Sequence, residues 1–192
     1  SNLKQLNLTY VDLVLVHYPP VGNTVWCGAM QEQWRALEDF YKSGHARAIG
    51  VSNYCPSSLK CILATPGTIP AVNQVQYHVG GGVDPLGIKS TCEHYGIILQ
   101  SYSPLGDGTT ELITGSLVSA IGKKHGKSGA QVSLRWVYEN GVPLSTKSTS
   151  RDHLLQDLQI FDDPSWPLTP TEKAQLDGAT APVYNYSFRC SK

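Results

Sequence analysis

No apolar run in this sequence approaches the roughly 20 residues that a membrane-spanning helix requires. Neither sign of charge prevails: 15 Lys and Arg stand against 15 Asp and Glu, for a formal net charge of +0. That balance excludes a surface whose overall field would gather nucleic acid or an anionic membrane. There is no low-complexity stretch and no block of like charges. The first residues, SNLKQLNL, have no basic segment running into an apolar one, as a secretory signal would. A cytoplasmic location is the resulting expectation. The cysteines, Cys27, Cys55, Cys61, Cys92 and Cys190, are odd in number and contain no C-x-x-C pair. Reduced thiols are expected of such a set. Neither the cysteines nor the histidines fall at metal-ligand spacing, so no metal site is expected.

What is present is a set of five short apolar runs, each ending in polar groups. VDLVLV (11–16) ends at His17 and Tyr18, and ARAIGV (46–51) at Ser52 and Asn53. AVNQV (71–75) carries Asn73 and Gln74 within it. IILQS (97–101) leads to Tyr102 and Ser103, and VPLST (142–146) to Lys147 and Ser148. A helix-like segment separates each run from the next. Short Val/Ile/Leu-rich runs alternating with helical patterns predict βα units and a buried parallel sheet. Chemistry in such sheets collects at the carboxyl ends of the strands, where all five polar clusters lie. At 192 residues the chain is expected to form one domain, 1–192.

The helical segments carry their own punctuation. LKQLNLTY would place Leu3 and Leu6 on one face. QEQWRALEDFYKSG would line one face with Trp34, Leu37 and Tyr41 and stop at Gly44. SSLKCILA and GIKSTCEHYG follow, the second closed by Gly96. In SGAQVSLRWVYENG, Ser128 is the expected N-cap, with Val132, Trp136 and Val137 inward. HLLQDLQIF is another helix. LTPTEKAQLDGA places Thr169 at the N-cap and Pro170 at the first helical position. Asp12 is expected to be buried in its strand, paired with a backbone or basic group. GGGVDP (80–85) lacks G-x-G-x-x-G spacing and is weak evidence for a phosphate site. The tail APVYNYSFRCSK is irregular and aromatic.

Taken jointly, YVDLVLVHYP (10–19), GHARAIGVSNY (44–54), PAVNQVQYH (70–78), YSPLG (102–106), TKST (146–149) and LTPTE (168–172) resemble the signatures of the aldo-keto reductase family, in the family's order and over the whole chain. The resemblance implies an α/β fold of the (β/α)8 TIM-barrel type. This chain would be an incomplete barrel of about five βα units with a C-terminal helix and tail, its N-terminal part missing. It also implies an oxidoreductase moving hydride from NADPH to an aldehyde or ketone, with a small-molecule carbonyl substrate. By the same resemblance, Ser52, Asn53 and Gln74 would hold the nicotinamide carboxamide, and Tyr102 would stack on its ring. Ser103, Leu105 and Gly106 would lie near the pyrophosphate. Lys147, Ser148 and Thr149 would take the 2′-phosphate, and His153, Gln156 and Asp157 would lie by the adenosine. His17 would be the catalytic residue that orients the carbonyl. Tyr18, Tyr184, Tyr186 and Phe188 would shape the substrate pocket.

This sequence departs from the family pattern in two places. His153 occupies the position where the family usually has an Arg on the 2′-phosphate, and a His charge is weaker and pH-dependent. The family's Tyr proton donor, with its Lys and Asp, comes from motifs ahead of the His strand, and nothing here resembles them. The alternative expectation is therefore a non-catalytic, reductase-derived binding or structural module. Self-association or a partner chain would go with exposed strand edges. Read without the resemblance, Ser52 and Asn53 suit a helix cap, Tyr102 suits a core and Lys147 a solvated loop.

Overall fold

A run of Val and Leu broken by Pro19 and Pro20 becomes the first strand, β1 (Val11–Val16). The computed structural model describes the chain apart from residues 1, 21–25, 163–165, 181, 182, 185, 187, 189, 191 and 192. Parts of the expected loop after Pro20 and of the C-terminal tail thus lie outside the described residues. Three more strands follow: β2 (Ala46–Ser52), β3 (Val72–Gln76) and β4 (Ile98–Tyr102). The helices are α1 (Asn2–Leu6), α2 (Cys27–Lys42), α3 (Pro56–Leu63), α4 (Ile88–Tyr95), α5 (Thr110–Ile113), α6 (Ser116–His125), α7 (Gly129–Glu139), α8 (Arg151–Asp162) and α9 (Pro170–Asp177). Two units can be distinguished: residues 1–75, 86–99 and 189–192, and residues 76–85 and 100–188.

The first unit is built on the parallel sheet, in the order β1-β2-β3-β4. Val16 pairs with Val51, and Ser52 with Gln74. The amide of Ile98 donates to the carbonyl of Ala71 at 3.0 Å. β2 is the most buried strand, as a strand flanked on both sides should be. Gly50 lies within it because a Cβ there would come 2.5 Å from the Val72 carbonyl oxygen. β1 is the edge, and Asp12 is exposed there rather than buried. Its expected basic partner is nonetheless present: Arg47 Nη1 lies 3.0 Å from Asp12 Oδ1. The edge strand leaves that face open, so a place within an apolar run does not translate into burial.

Two helices in this unit turn differently from their sequence reading. α2 starts at Cys27, four residues early, and buries Met30, Trp34 and Glu38 while Tyr41 is exposed. Trp34 Nε1 donates to the Thr68 carbonyl at 3.1 Å, and the Glu38 carboxylate accepts the Thr68 amide. These two bonds rotate the helix so that Glu38, not Tyr41, faces inward. α1 ends at Leu6, whose side chain is exposed while Leu3 is buried. The thiol expectation is also overturned. Cys27 is bonded to Cys61 and Cys55 to Cys190, and Cys92 lies buried outside both disulfides. The partners lie 34 and 135 residues apart, a proximity that spacing along a chain does not carry.

The second unit is mainly helical. α7 is buried at Gly129 and from Gln131 to Val137, with Val132, Trp136 and Val137 inward as expected. Ser128 and Gln131 form a reciprocal capping box at its start, and Thr169 and Glu172 form another at α9. The expected fifth strand, 142–146, reduces to one parallel bridge between Ser101 and Leu144. The amide of Ser101 donates to the Pro143 carbonyl, and that of Ser145 to the Ser101 carbonyl. Pro143 has no N–H with which to extend the ladder backward. Forward, Ser103 leaves the extended conformation with φ +48. The ladder therefore stops on both sides. On α8, Leu154, Leu155, Leu158 and Phe161 are exposed and Ile160 is buried.

The glycine loop after His78 receives the tail. Gly80 bridges Thr180, and a Cβ on Gly81 would come 2.5 Å from the Tyr186 ring. Tyr186 stands edge-on to His78, with ring centroids 5.3 Å apart.

Candidate functional site

In the first unit the carboxyl ends of β1, β2 and β3 bring His17, Tyr18, Ser52, Asn53 and Gln74 together. Asn53 adopts φ +61, a left-handed conformation that Asn tolerates better than most residues. Its amide nitrogen donates to the His17 carbonyl at 3.0 Å and to Ser52 Oγ at 3.1 Å. Ser52 Oγ donates in turn to the Gln74 carbonyl at 2.7 Å, and the main-chain N–H of Asn53 donates to the same oxygen at 2.9 Å. Ser52 and Asn53 are both buried, so this end of the sheet is a rigid hydrogen-bonded platform. His17 and Tyr18 are exposed on it, with ring centroids 4.3 Å apart. Behind it, Asn73 grips the backbone of Tyr54 in both directions, at 2.8 and 3.3 Å. Burial pushes the Tyr54 hydroxyl up to about 12, so it remains a neutral donor to Gln33.

In the second unit a cleft of about 730 Å³ opens beside the turn after β4 and the start of α8. A volume of that order suits a small-molecule or cofactor site. The cleft gathers seven of the residues singled out in the sequence: Ser103, Leu105, Lys147, Ser148, His153, Gln156 and Asp157. Tyr102, Gly106 and Thr149 are not on its wall. Gly106 acts behind it, with φ +57 and a carbonyl that accepts Thr109 Oγ1. Ser103 and Asp107 are both left-handed and are joined side chain to side chain. Strained backbone of this kind clusters where a loop has a task.

The wall mixes a Lys, a His, several hydroxyls and the start of α8, a donor set that suits an anionic group. It also holds one carboxyl that resists ionisation. Burial raises the Asp157 pKa, against a Thr146 hydrogen bond and the His153 charge, which lower it. Asp107, Thr146, Ser145, Thr114 and Ser128 also line the cleft and were missed in the sequence. A signal existed for Asp107, since D-G within SPLGDG marks a turn. Ser128 was legible as a helix cap and not as a site residue, and Thr114, at the end of α5, carried no signal.

The tail aromatics form a third group, also in the second unit. Tyr186 and Phe188 are buried, and Tyr184 is half-buried beside Gly80. Burial raises the Tyr184 pKa, with Glu111 adding to the effect. His78 is pushed the other way by burial, against a hydrogen bond to the Val79 carbonyl and the Asp107 charge. Its neutral ring is fully engaged with Gln76 and Val79, a structural arrangement.

A parallel sheet with helices between its strands and polar groups at their carboxyl ends defines an α/β fold that gathers its chemistry there. The Aldo/keto reductase family model matches residues 1–180, and the chain belongs to that family. It is 35% identical over 192 aligned residues to the 7-acetyl-epi-neemfruitin B aldo-keto reductase of Melia azedarach, covering 92% of this chain and 58% of that protein. A putative 2,5-diketo-D-gluconic acid reductase B has a similar solved structure, with TM-score 0.80, 29% identity, and coverage of 94% of this chain and 60% of that one. An aldo-keto reductase of Bombyx mori in complex with NADP aligns with TM-score 0.74 and 27% identity, covering 91% and 59%. The chain spans about three-fifths of the length of the curated relatives it matches. Its fold class is that of the family's (β/α)8 barrel, in part.

Proposed function

We propose that this chain is the cofactor-binding portion of an NADPH-dependent carbonyl reductase, acting as one domain over residues 1–192. The observation that carries the reading is the cleft that collects Lys147, Ser148 and His153 with the loop from Ser103 to Gly108. The donor set fits a phosphate-bearing nucleotide. Lys147 would supply a point charge, Ser148 a hydroxyl and His153 a pH-dependent charge to a 2′-phosphate. Ser103, Leu105 and Gly106 would border the pyrophosphate, and Thr149, Gln156 and Asp157 the adenosine side. Ser52, Asn53 and Gln74 would hold the carboxamide, with Tyr102 under the ring. When bound, NADPH supplies the hydride.

His17, exposed at the end of β1 and held through its carbonyl by Asn53, would orient an aldehyde or ketone oxygen. Tyr18, Tyr184, Tyr186 and Phe188 would supply the apolar and aromatic surface around it. A cytoplasmic location belongs to the same reading. The two cystine pairs provide its check, because a reducing compartment keeps such pairs as thiols. No described helix is long and apolar enough to cross a membrane.

The test is titration of the complete protein with NADPH and NADH, followed by tryptophan fluorescence. Lys147→Ala should weaken NADPH about 10- to 100-fold, the value of one charge-assisted hydrogen bond, and leave NADH within a few-fold. Equal affinity of wild type and variant for NADPH would remove Lys147 from the site.

A further inference from the structure

We propose that α8 is a self-association surface on which a second copy of this chain docks, the two helices running antiparallel. Leu154, Leu155, Leu158 and Phe161 are 41%, 43%, 56% and 46% exposed, whereas Ile160 is fully buried. Single exposed apolar side chains are ordinary, but contiguous strips of them mark contact surfaces. These four are contiguous: at about 3.6 residues per turn they fall, with Arg151, on one arc of roughly 120°. Tyr138 of α7, itself exposed, extends the strip, its ring perpendicular to that of Phe161 with centroids 5.3 Å apart. An apolar groove of about 210 Å³ follows the strip, with Leu144, Leu154, Leu158 and Phe161 on its wall.

The opposite arc of α8 is already engaged. It carries Ile160 into the core and His153, Gln156 and Asp157 along the cleft. Gln131 Nε2 donates to the Gln156 carbonyl at 3.0 Å, and Arg135 Nη1 to the Ile160 carbonyl at 2.8 Å. These bonds hold the rotation of the helix, so the strip is fixed outward.

The order of the residues points to the occupant. Arg151, Leu154, Leu158 and Phe161 form the central line of the strip, with spacings of three, four and three. That order is the same in both directions. Two antiparallel copies related by a two-fold axis therefore set Leu154 against the partner's Leu158, twice, and Arg151 against the partner's Phe161, twice. An isologous interface requires this self-complementarity. The spacing is also that of the apolar seam along which paired helices interlock. Charge favours the same direction. Arg151 lies in the first turn of α8, at the positive end of its own helix dipole, an unfavourable place for a cation. In the antiparallel pair it stands at the carbonyl end of the partner helix and beside the ring of the partner's Phe161, and both contacts favour it. A parallel pair would set Arg151 against its own copy. With 12 residues, α8 offers a contact about 18 Å long. A contact confined to one helix pair belongs with the transient interfaces below roughly 1,200 Å², so the dimer forms and parts with concentration.

The test is sedimentation velocity of the complete protein over an about hundred-fold range of concentration. The average mass should rise from monomer toward dimer, with or without NADPH. Leu158→Glu places two charges in the seam. It should weaken association at least ten-fold and leave the circular dichroism and melting temperature as in wild type, because the side chain is exposed. Arg151→Glu should weaken association several-fold. In an equal mixture of Leu154→Cys and Leu158→Cys, mild oxidation should join the two variants to each other at least ten-fold faster than either to itself. A monomer at every concentration, or variants that join to themselves, would overturn the pairing. Slow labelling of the Leu158→Cys thiol in a monomer would show that another part of the protein covers the strip, and would overturn it as well.

Discussion

The side-chain amide of Asn53 donates to the main-chain carbonyl of His17 at 3.0 Å, which ties the end of β2 to the end of β1. The residue expected to hold a ligand amide is thus also the clamp that fixes the strand end from which His17 projects. Two separate costs follow from removing it, one in the backbone and one in the side chain.

Asn53→Ala should lose about 2–4 kcal/mol of stability. The left-handed φ of +61 costs a residue with a Cβ about 1–2 kcal/mol, and the lost hydrogen bonds contribute about 0.5–1.5 kcal/mol each. Asn53→Gly keeps the backbone conformation at ease and loses only the bonds. Urea unfolding should therefore rank wild type above Asn53→Gly and Asn53→Gly above Asn53→Ala. An Asn53→Ala midpoint equal to that of Asn53→Gly would mean that the backbone conformation costs nothing here.

Glu172 governs the acid limb of stability. Burial alone would raise its pKa, but His125, the amide and hydroxyl of Thr169, and Lys124 together bring it down to about 2. A carboxyl depressed in the folded state adds stability above its unfolded pKa, and that contribution is lost as pH falls toward 2. The shift from 4.5 to about 2 corresponds to roughly 3 kcal/mol at neutral pH. Glu172→Gln should be less stable at pH 7 and should flatten the dependence between pH 5 and 2. Parallel pH curves for wild type and variant would refute the role.

Asp157 carries the opposite sign. A carboxyl whose folded pKa lies above its unfolded value costs stability once pH rises through that range. Asp157→Asn should therefore be as stable as wild type or more so at pH 7. It should also bind NADPH several-fold tighter at pH 8, because one negative charge leaves the cleft wall. The gain should shrink toward pH 4, where protonation removes the same charge. Isothermal titration at the two pH values decides the matter, and a gain that is independent of pH would contradict it.

Gly81→Ala should loosen the tail. Its Cβ would lie 2.5 Å from the Tyr186 ring, and forced overpacking of this kind costs about 1–3 kcal/mol. The ring must move off His78, and chymotrypsin should reach Tyr186 faster than in wild type. Gly82→Ala, where the added atom meets open space but φ is +79, separates backbone strain from the clash. If it exposes Tyr186 equally, the packing argument fails.

Much of the structure was legible because it is local. The Ser128 and Thr169 caps, Pro170 at the head of α9 and the stops at Gly44 and Gly96 depend on groups a few residues apart. The sequence carries those groups side by side. The apolar runs placed four strands in their parallel sheet, and Ser103, Lys147 and Ser148 at the ends of two runs lie on the cleft wall. The rest depends on partners that are distant along the chain. Glu38 faces inward in place of Tyr41 because Thr68 lies against α2. The run 142–146 makes one bridge because Pro143 lacks a donor and Ser103 turns away. Asp12 is exposed because β1 is an edge. Cys27 with Cys61 and Cys55 with Cys190 are paired by folding alone. Periodicity and capping are encoded within a turn or two of chain, whereas burial, pairing and strain are decided by which surfaces meet, and only the tertiary structure determines that.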